Sequence, residues 1–215
     1  MNRPRLSLAA YPAAFVVGAI LGTFWDRLHV VAGTLVYADE GVFGQPFWIP
    51  LEFGAAAVAG VMVFTLLGDP APRRESPRVA AIETLWISAV YAATAFFDRW
   101  PWALAALLLI LLAVRAKDLA PIVAGSPIPS LALLLGGPLF EAALISSGVY
   151  SYRNSQLGPL PVWLPVLWAH GVLFMMRFSE AMLLRFGVRR RIQPATATLT
   201  PTDPEPDPEP DPIED

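Results

Sequence analysis

Residues 47–67, FWIPLEFGAAAVAGVMVFTLL, decide the fold class because the stretch is apolar throughout and carries a single charged residue, Glu52. An α-helix needs about 20 predominantly apolar residues to cross the hydrocarbon core of a bilayer. Five further stretches are similarly apolar: residues 6–25, 79–97, 100–114, 128–150 and 160–184. The sequence therefore predicts an all-α protein, a polytopic membrane helix bundle with six transmembrane helices.

The composition argues against a soluble enzyme. Of the 215 residues, 55% are hydrophobic and 15% are charged, and the mean hydropathy is +0.53, whereas a soluble domain carries about 25% charged residues. The absence of cysteine excludes a disulfide framework and thiolate chemistry. The two histidines, His29 and His170, are too few for a histidine-rich metal site. We expect no cofactor, no metal and no nucleic-acid partner.

The basic residues predict the orientation, because cytoplasmic loops carry an excess of Lys and Arg. With six spans, one side of the membrane receives twelve basic residues: Arg3, Arg5, Arg73, Arg74, Arg78, Arg115, Lys117, Arg177, Arg185, Arg189, Arg190 and Arg191. The other side receives Arg27, Arg99 and Arg153. Both termini are therefore predicted to be cytoplasmic. Fourteen of the fifteen basic residues are arginine, which favours a GC-rich bacterial genome and hence a bacterial inner membrane over the endoplasmic reticulum.

Three local expectations complete the domain organisation. The first stretch is expected to be a retained span rather than a signal peptide, because it ends in Phe24-Trp25-Asp26 without a small-residue cleavage site. The short fourth stretch is expected to be thinned, tilted or extended by a snorkelling Arg115. Residues 1–192 form the transmembrane domain. Residues 193–215, which are rich in Pro, Asp and Glu, are predicted to be a disordered cytoplasmic tail.

Ionisable groups inside apolar stretches are costly and require an explanation. Glu52 lies about one turn into the second stretch, Glu141 midway along the fifth and His170 midway along the sixth. They can form a polar patch in a lipid-facing cavity, make interhelical hydrogen bonds that fix the packing, or act as acid and base in catalysis. Glu83 and Glu180 lie nearer the predicted cytoplasmic ends, where they are expected to reach water.

Small residues at a spacing of four predict close helix packing. Gly18 and Gly22 have this spacing, as do Ala56 and Gly60, and we expect both pairs to pack within the bundle rather than to form a dimer interface.

Two prolines are predicted to break helices beside ionisable groups. Pro138 precedes Glu141, and Pro165 precedes His170. A proline inside a helix removes a backbone hydrogen bond and kinks the helix. The two kinks would open a cavity near the middle of the bilayer among the second, fifth and sixth spans, unless they are plain bends that need no ligand.

Motifs of known membrane or soluble enzymes are missing. The sequence has no His-x-x-x-His, no paired Asp motif, no Gly-x-Ser-x-Gly, no P-loop and no Gly-x-Gly-x-x-Gly. It also lacks the internal repeat that is typical of secondary transporters.

Four motifs, taken in order, resemble those of the insulin-induced gene (Insig) family. They are Asp39-Glu40 before the second span, Trp48-Ile49-Pro50 followed by Gly54, Phe97-Asp98 after the third span, and Gly148-Val149-Tyr150-Ser151-Tyr152 followed by Trp163-Leu164-Pro165. The resemblance covers residues 10–180. Glu52, Glu141, His170 and the acidic tail depart from the family's pattern.

The resemblance implies six membrane helices and a non-enzymatic regulator that holds a sterol or another lipid in an intramembrane cavity. In animals such proteins bind oxysterols and retain partner membrane proteins in the endoplasmic reticulum. We therefore predict a neutral lipid, sterol-like or diacylglycerol-like, bound by Glu52, Glu141 and His170 together with Trp48, Tyr150 and Trp163. Other membrane proteins are candidate partners, and a homo-oligomer is left open.

Two further classes of function stay open from the sequence. One is a membrane-embedded enzyme that acts on a lipid or isoprenoid, such as an isomerase, with Glu141, Glu52 or His170 as acid or base. The other is a transporter of a small solute.

Overall fold

The structure, a computed structural model, describes residues 5–67 and 77–188. Seven α-helices follow one another in these residues: α1 (Ala10–Ala32), α2 (Ile49–Leu67), α3 (Pro77–Phe96), α4 (Pro101–Val114), α5 (Ala116–Gly125), α6 (Pro127–Ser146) and α7 (Leu164–Phe186). A short 3-10 helix, Val42–Gly44, precedes α2. Among the described helices, α1, α2, α3 and α6 are long and apolar enough to cross a membrane. The chain is thus mostly helical and is an integral membrane protein.

The two remaining helices that match predicted spans are less typical. α4 has 14 residues and is about 21 Å long at 1.5 Å per residue, which is shorter than a hydrocarbon core of about 30 Å. α7 has 23 residues but carries Arg177, Glu180 and Arg185, so it is less apolar than α1, α2, α3 and α6. All six predicted stretches form helices, and four of these helices meet the ordinary length and hydropathy of a span.

Small residues bring α1 and α2 together. A methyl group at Gly18 would overlap Ala57 and the backbone carbonyl of Phe53, and one at Gly22 would overlap the Phe53 ring. The prediction that the Gly18–Gly22 pair packs within the bundle is confirmed. For the pair Ala56 and Gly60 the prediction holds only in part. Gly60 packs against Met175 of α7, but Ala56 is exposed.

α7 is the central helix of the bundle, since it contacts every other helix from α1 to α6. Its residues Leu164 and Leu173 are fully buried. On the outer surface, large apolar side chains are exposed instead, among them Val16, Ile20, Leu109, Leu135 and Leu139. An apolar surface of this extent is the kind that a bilayer covers.

Two pairs of short strands close the two ends of the bundle. β2 (Leu35–Tyr37) follows α1 and pairs antiparallel with β3 (Tyr150–Tyr152), which follows α6, so that Tyr37 lies opposite Tyr150. β1 (Arg5–Leu6) pairs antiparallel with β4 (Gly187–Val188). The first and last described residues therefore lie together at the end of the bundle opposite to β2 and β3.

Several helix ends differ from the sequence prediction. α1 continues to Ala32, seven residues past Trp25, the end of the first predicted stretch. α6 ends at Ser146, and Tyr150 lies in a strand. The predicted break at Pro165 is wrong, because Pro165 is the second residue of α7, where a proline is tolerated. Pro138 lies inside α6, which remains one helix.

Three charged residues expected to reach water or the membrane surface, Arg115, Glu83 and Glu180, are largely buried instead. Arg115 does not snorkel. It forms two hydrogen bonds with Glu83, one of them 2.8 Å from Nη1 to Oε2, and the side chains are 13% and 5% exposed. Glu180 is buried as well and accepts a 2.9 Å hydrogen bond from Arg177. Residues 68–76, which contain Arg73 and Arg74, and the predicted tail 193–215 lie outside the described residues.

Candidate functional site

Two tyrosines converge on Glu141 at the end of the bundle that carries β2 and β3. The hydroxyl groups of Tyr150 and Tyr152 donate to Glu141 Oε2 at 2.7 and 2.8 Å. Side chains alternate along a strand, so residues two apart in β3 lie on the same face. Gly148 makes the turn from α6 into β3 with a φ of 74°, a backbone conformation that favours glycine.

A second carboxyl lies in the same region. Asp26 Oδ2 accepts hydrogen bonds from the Tyr37 hydroxyl at 3.0 Å and from Gln45 Nε2 at 2.6 Å. The rings of Tyr37 and Tyr150 meet edge to face with centroids 5.5 Å apart. The pairing of β2 with β3 thus joins the Asp26 and Glu141 groups into one assembly.

Glu52 completes the assembly electrostatically. It lies close enough to Tyr37 and Tyr150 that its charge contributes to raising the pKa of both hydroxyl groups. Burial is the main cause of these raised pKa values, followed by Asp26 for Tyr37 and by Glu141 for Tyr150. Burial likewise raises the pKa of Tyr152. All three phenols therefore stay protonated and act as donors.

We call this assembly the polar cluster. It comprises Asp26, Tyr37, Gln45, Glu52, Glu141, Tyr150 and Tyr152. One neighbouring group has an unsatisfied donor. The indole of Trp168 packs on Gly137, and its buried nitrogen lies near Glu141 without a hydrogen bond of normal geometry to any described residue.

The structure brings four of the six residues predicted as a lipid site together and places the other two elsewhere. Glu52, Glu141 and Tyr150 belong to the polar cluster, and Trp48 lies beside it, with its ring 6.1 Å from that of Tyr37. The other two, His170 and Trp163, lie elsewhere in the bundle.

His170 and Trp163 each have their own partners. His170 Nδ1 accepts a 3.2 Å hydrogen bond from the Trp86 indole, so its Nε2 donates to the carbonyl oxygen of Leu108 at 3.1 Å. The Trp163 indole donates to Asp98 Oδ1 at 2.9 Å. The Phe97-Asp98 and Trp163-Leu164-Pro165 motifs are therefore in direct contact and hold the α3–α4 turn against the start of α7.

A groove of about 460 Å³ lies beside the polar cluster, between α1 and the segment that leads into α2. Its walls are mostly apolar: Ala19, Ile20, Thr23, Phe24, Arg27, Phe43, Gln45 and Pro50. We call it the α1–α2 groove. The buried Thr23 hydroxyl has no hydrogen-bond partner among the described residues, and Gln45 links the groove to Asp26.

Sequence reasoning missed Asp26, Tyr37, Gln45 and Tyr152. The sequence predicts the end of the first span at Asp26, although Asp26 lies inside α1. The signal for Tyr152 was present in Tyr150-Ser151-Tyr152, because alternation in an extended segment places both tyrosines on one face. No local pattern connects Gln45 to Asp26. Within the described residues, no group of His, Asp and Glu could hold a metal ion.

The apolar helices and the polar cluster at one end of the bundle define a polytopic α-helical membrane protein. Residues 78–196 match the family model described as Protein of unknown function (DUF2878), and the chain belongs to this family.

Its relatives are Insig homologues. The chain is 28% identical over 198 residues to the INSIG protein homolog of Mycolicibacterium vanbaalenii, covering 88% of this chain and 92% of that protein. The crystal structure of the mycobacterial Insig homolog MvINS has a TM-score of 0.68 at 26% identity and covers 83% of this chain and 97% of its own. A cross-linked MvINS trimer gives a TM-score of 0.67 at 26% identity, covering 84% and 97%. The resemblance to the Insig family is confirmed, and the chain is an Insig-like membrane protein.

Proposed function

We propose that this Insig-like protein binds a neutral, hydroxyl-bearing lipid, sterol-like or diacylglycerol-like, within the membrane at the polar cluster. The α1–α2 groove is the observation that carries the proposal, because its lining is mostly apolar and includes the polar side chains of Thr23 and Gln45. Thr23 offers a buried hydroxyl without a described partner, and Gln45 connects the groove to Asp26. A lipid hydroxyl can exchange hydrogen bonds with these two groups while its hydrocarbon lies along Ala19 and Ile20.

The charge around the groove favours a neutral ligand. Asp26, Glu52 and Glu141 interact electrostatically with one another, whereas the groove has one basic residue, Arg27, whose guanidinium lies 5.7 Å from the centre of the Phe43 ring. An anionic head group placed among these carboxyl groups would be repelled and would lose its hydration. A hydroxyl group can donate to a carboxyl and accept from a phenol or an amide.

The site differs in one respect from the cavity predicted among the second, fifth and sixth spans. The groove lies on α1 and α2, and the polar cluster joins it to α6 through Glu141. His170 does not form a pair with Glu141, since each has other partners. The geometry therefore offers no support for a carboxyl–imidazole pair of the kind that an isomerase would use.

The proposed role is regulation of other membrane proteins, in keeping with the Insig resemblance. Self-association is part of the proposal as well, because MvINS has been crystallised as a cross-linked trimer. Native mass spectrometry of the purified chain tests the oligomeric state directly.

We also propose six membrane crossings in a bacterial inner membrane, with both termini cytoplasmic. The strand pairings support this number. If only α1, α2, α3 and α6 crossed, β2 and β3 would lie on opposite sides of the membrane, yet they are paired. If α4 also crosses, β2 and β3 lie on the same side of the membrane. If α7 crosses as well, β4 reaches the side on which β1 lies, as the pairing of β1 with β4 requires.

The lipid proposal is tested by extracting and quantifying the lipid that stays with the protein after purification in a mild detergent. Ile20→Trp fills the groove and is expected to reduce the retained neutral lipid severalfold. Val16→Trp is the matched control, since Val16 lies one turn away on the same lipid-exposed side of α1 and does not line the groove. Equal lipid in both variants would contradict the site. Conversion of an added lipid to a product would favour the enzyme alternative.

A further inference from the structure

A second cavity, of about 370 Å³, lies at the end of the bundle that carries β2 and β3. It is lined by the ends of α1 and α3, the turn before α4 and one residue after β3: Ala32, Ala95, Phe96, Asp98, Arg99 and Arg153. The described residues at this end include three basic residues, Arg27, Arg99 and Arg153. Two of the three thus line one cavity, which we call the two-arginine cavity.

Arg153 is held in place by the end of α1. Its Nη2 donates to the carbonyl oxygen of Ala32 at 2.7 Å. Gly33 ends α1 with a φ of 66°, and a methyl group on Gly33 would collide with Arg153 Nη2. The guanidinium has five N–H donors, so one hydrogen bond to Ala32 orients the group and leaves further donors for a ligand.

Arg99 also lines the cavity, with Cζ 4.7 Å from the centre of the Trp100 ring. Within residues 5–67 and 77–188, neither Arg99 nor Arg153 forms an ion pair. Both carboxylate oxygens of the nearby Asp98 already accept hydrogen bonds, Oδ1 from the Trp163 indole and Oδ2 from the Asn154 amide at 2.7 Å. The lining of the cavity therefore carries two positive charges and one negative charge.

We propose that the two-arginine cavity binds the phosphate group of an anionic phospholipid. Arginine guanidinium groups match phosphate oxygens in shape and charge and can bind two of them at once. Phe96, Phe97 and Trp100 beside the cavity are each more than half exposed, and aromatic side chains at a span end are typical of the membrane–water interface. Exposed aromatic side chains next to two arginines favour a phospholipid, whose apolar chains they can contact, over a soluble phosphate ester.

This site is independent of the proposed neutral-lipid site. The α1–α2 groove is lined by other residues and adjoins three carboxyl groups, whereas the two-arginine cavity has a positive balance. Failure of one proposal leaves the other unaffected.

The test measures the affinity of the full-length protein in detergent micelles for added phosphatidylglycerol, with phosphatidylcholine as the neutral comparison. The readout is the increase in unfolding temperature as the lipid is titrated. We expect phosphatidylglycerol to stabilise the wild type more than phosphatidylcholine does. Arg99→Gln should weaken this binding roughly tenfold or more, since a hydrogen bond between charged groups contributes about 1.5–3 kcal/mol and 1.4 kcal/mol is a factor of ten.

The matched control is Arg78→Gln, because Arg78 is an exposed arginine at the opposite end of the bundle. Arg153→Lys is a second variant, which keeps the positive charge but loses the planar guanidinium group. Its unfolding temperature in phosphatidylcholine shows whether it still folds. The proposal is overturned if Arg99→Gln and Arg153→Lys both keep the full effect of phosphatidylglycerol, or if Arg78→Gln loses as much as they do. Equal stabilisation by glycerol phosphate would contradict the phospholipid proposal, since the ligand would then be a soluble phosphate ester.

Discussion

Gly136 and Gly137 are neighbours on α6 with opposite surroundings. A methyl group on Gly137 would overlap the Trp168 ring, whereas one on Gly136 would meet no atom within 4 Å beyond the neighbouring backbone of its own helix. We expect Gly137→Ala to destabilise the fold by about 1–3 kcal/mol through overpacking and to displace Trp168 from Glu141. Gly136→Ala is the control and should be neutral or stabilising by roughly 0.5–1 kcal/mol, because alanine is the better helix former. Thermal unfolding in detergent measures both, and similar shifts would contradict the close packing at Gly137.

Tyr152 tests the polar cluster at the same scale. Tyr152→Phe keeps the ring in place but removes one of the two phenol donors to Glu141. Loss of a buried hydrogen-bond partner costs about 1–3 kcal/mol, so the unfolding temperature should fall. Tyr11→Phe, at the other end of α1, removes a phenol away from the cluster and should change stability by about 0.5 kcal/mol or less. Equal stability of the two variants would mean that Glu141 does not depend on Tyr152.

At this scale the sequence predicted part of the candidate site. Glu141 and Tyr150 could be singled out because a carboxyl inside an apolar stretch and a motif after the fifth stretch both stand out. His170 stood out for the same reason, yet it bonds Trp86 and Leu108 on another side of the bundle. Periodicity shows that a polar residue lies in a helix, but the partner that it reaches depends on how the helices are rotated and packed.

At the scale of elements, the Glu83–Arg115 pair joins α3 to the junction of α4 and α5. Removing one partner of a buried ion pair costs about 3–5 kcal/mol, because the other charge stays buried alone. Glu83→Gln should therefore lower the unfolding temperature strongly. The control is Asp118→Asn, since Asp118 contacts the same arginine at 3.6 Å but is 43% exposed, and exposed pairs contribute about 0–1 kcal/mol. A small effect of Glu83→Gln would show that the pair is hydrated in the membrane.

The helices of the six predicted stretches followed from the sequence, whereas α5 and several helix ends did not. α1 continues past the polar residues Asp26 and His29 because both have tertiary partners: Tyr37 and Gln45 for Asp26, and Thr94 at 2.9 Å for His29. A window of hydropathy counts such residues as the end of a span. The β2–β3 pairing was not predicted either, since three-residue strands leave little periodicity and their partners are far apart in the chain.

At the scale of the whole molecule, residues 193–215 are expected to be dispensable for folding. Five of the seven acidic residues among the last 13 alternate with proline, and no aromatic residue is present there. Such a segment has too little apolar surface to pack against the bundle. Truncation after Gln193 should leave the unfolding temperature within experimental error, and a large decrease would indicate that the tail docks on the bundle.

The number of membrane crossings can be tested because the chain contains no cysteine, so that each introduced cysteine is unique. Glu40, Arg78, Lys117 and Ser151 are exposed positions after α1, at the start of α3, after α4 and after α6. With six crossings and cytoplasmic termini, a membrane-impermeant maleimide should label Glu40→Cys and Ser151→Cys in intact cells, and the other two only after permeabilisation. If α4 lay along the surface and α6 still crossed, Lys117→Cys and Ser151→Cys would exchange sides while Glu40→Cys and Arg78→Cys stayed as before. That exchange would also separate β2 from β3 and with them Asp26 from Glu141, so the labelling pattern decides whether the polar cluster can exist in the membrane.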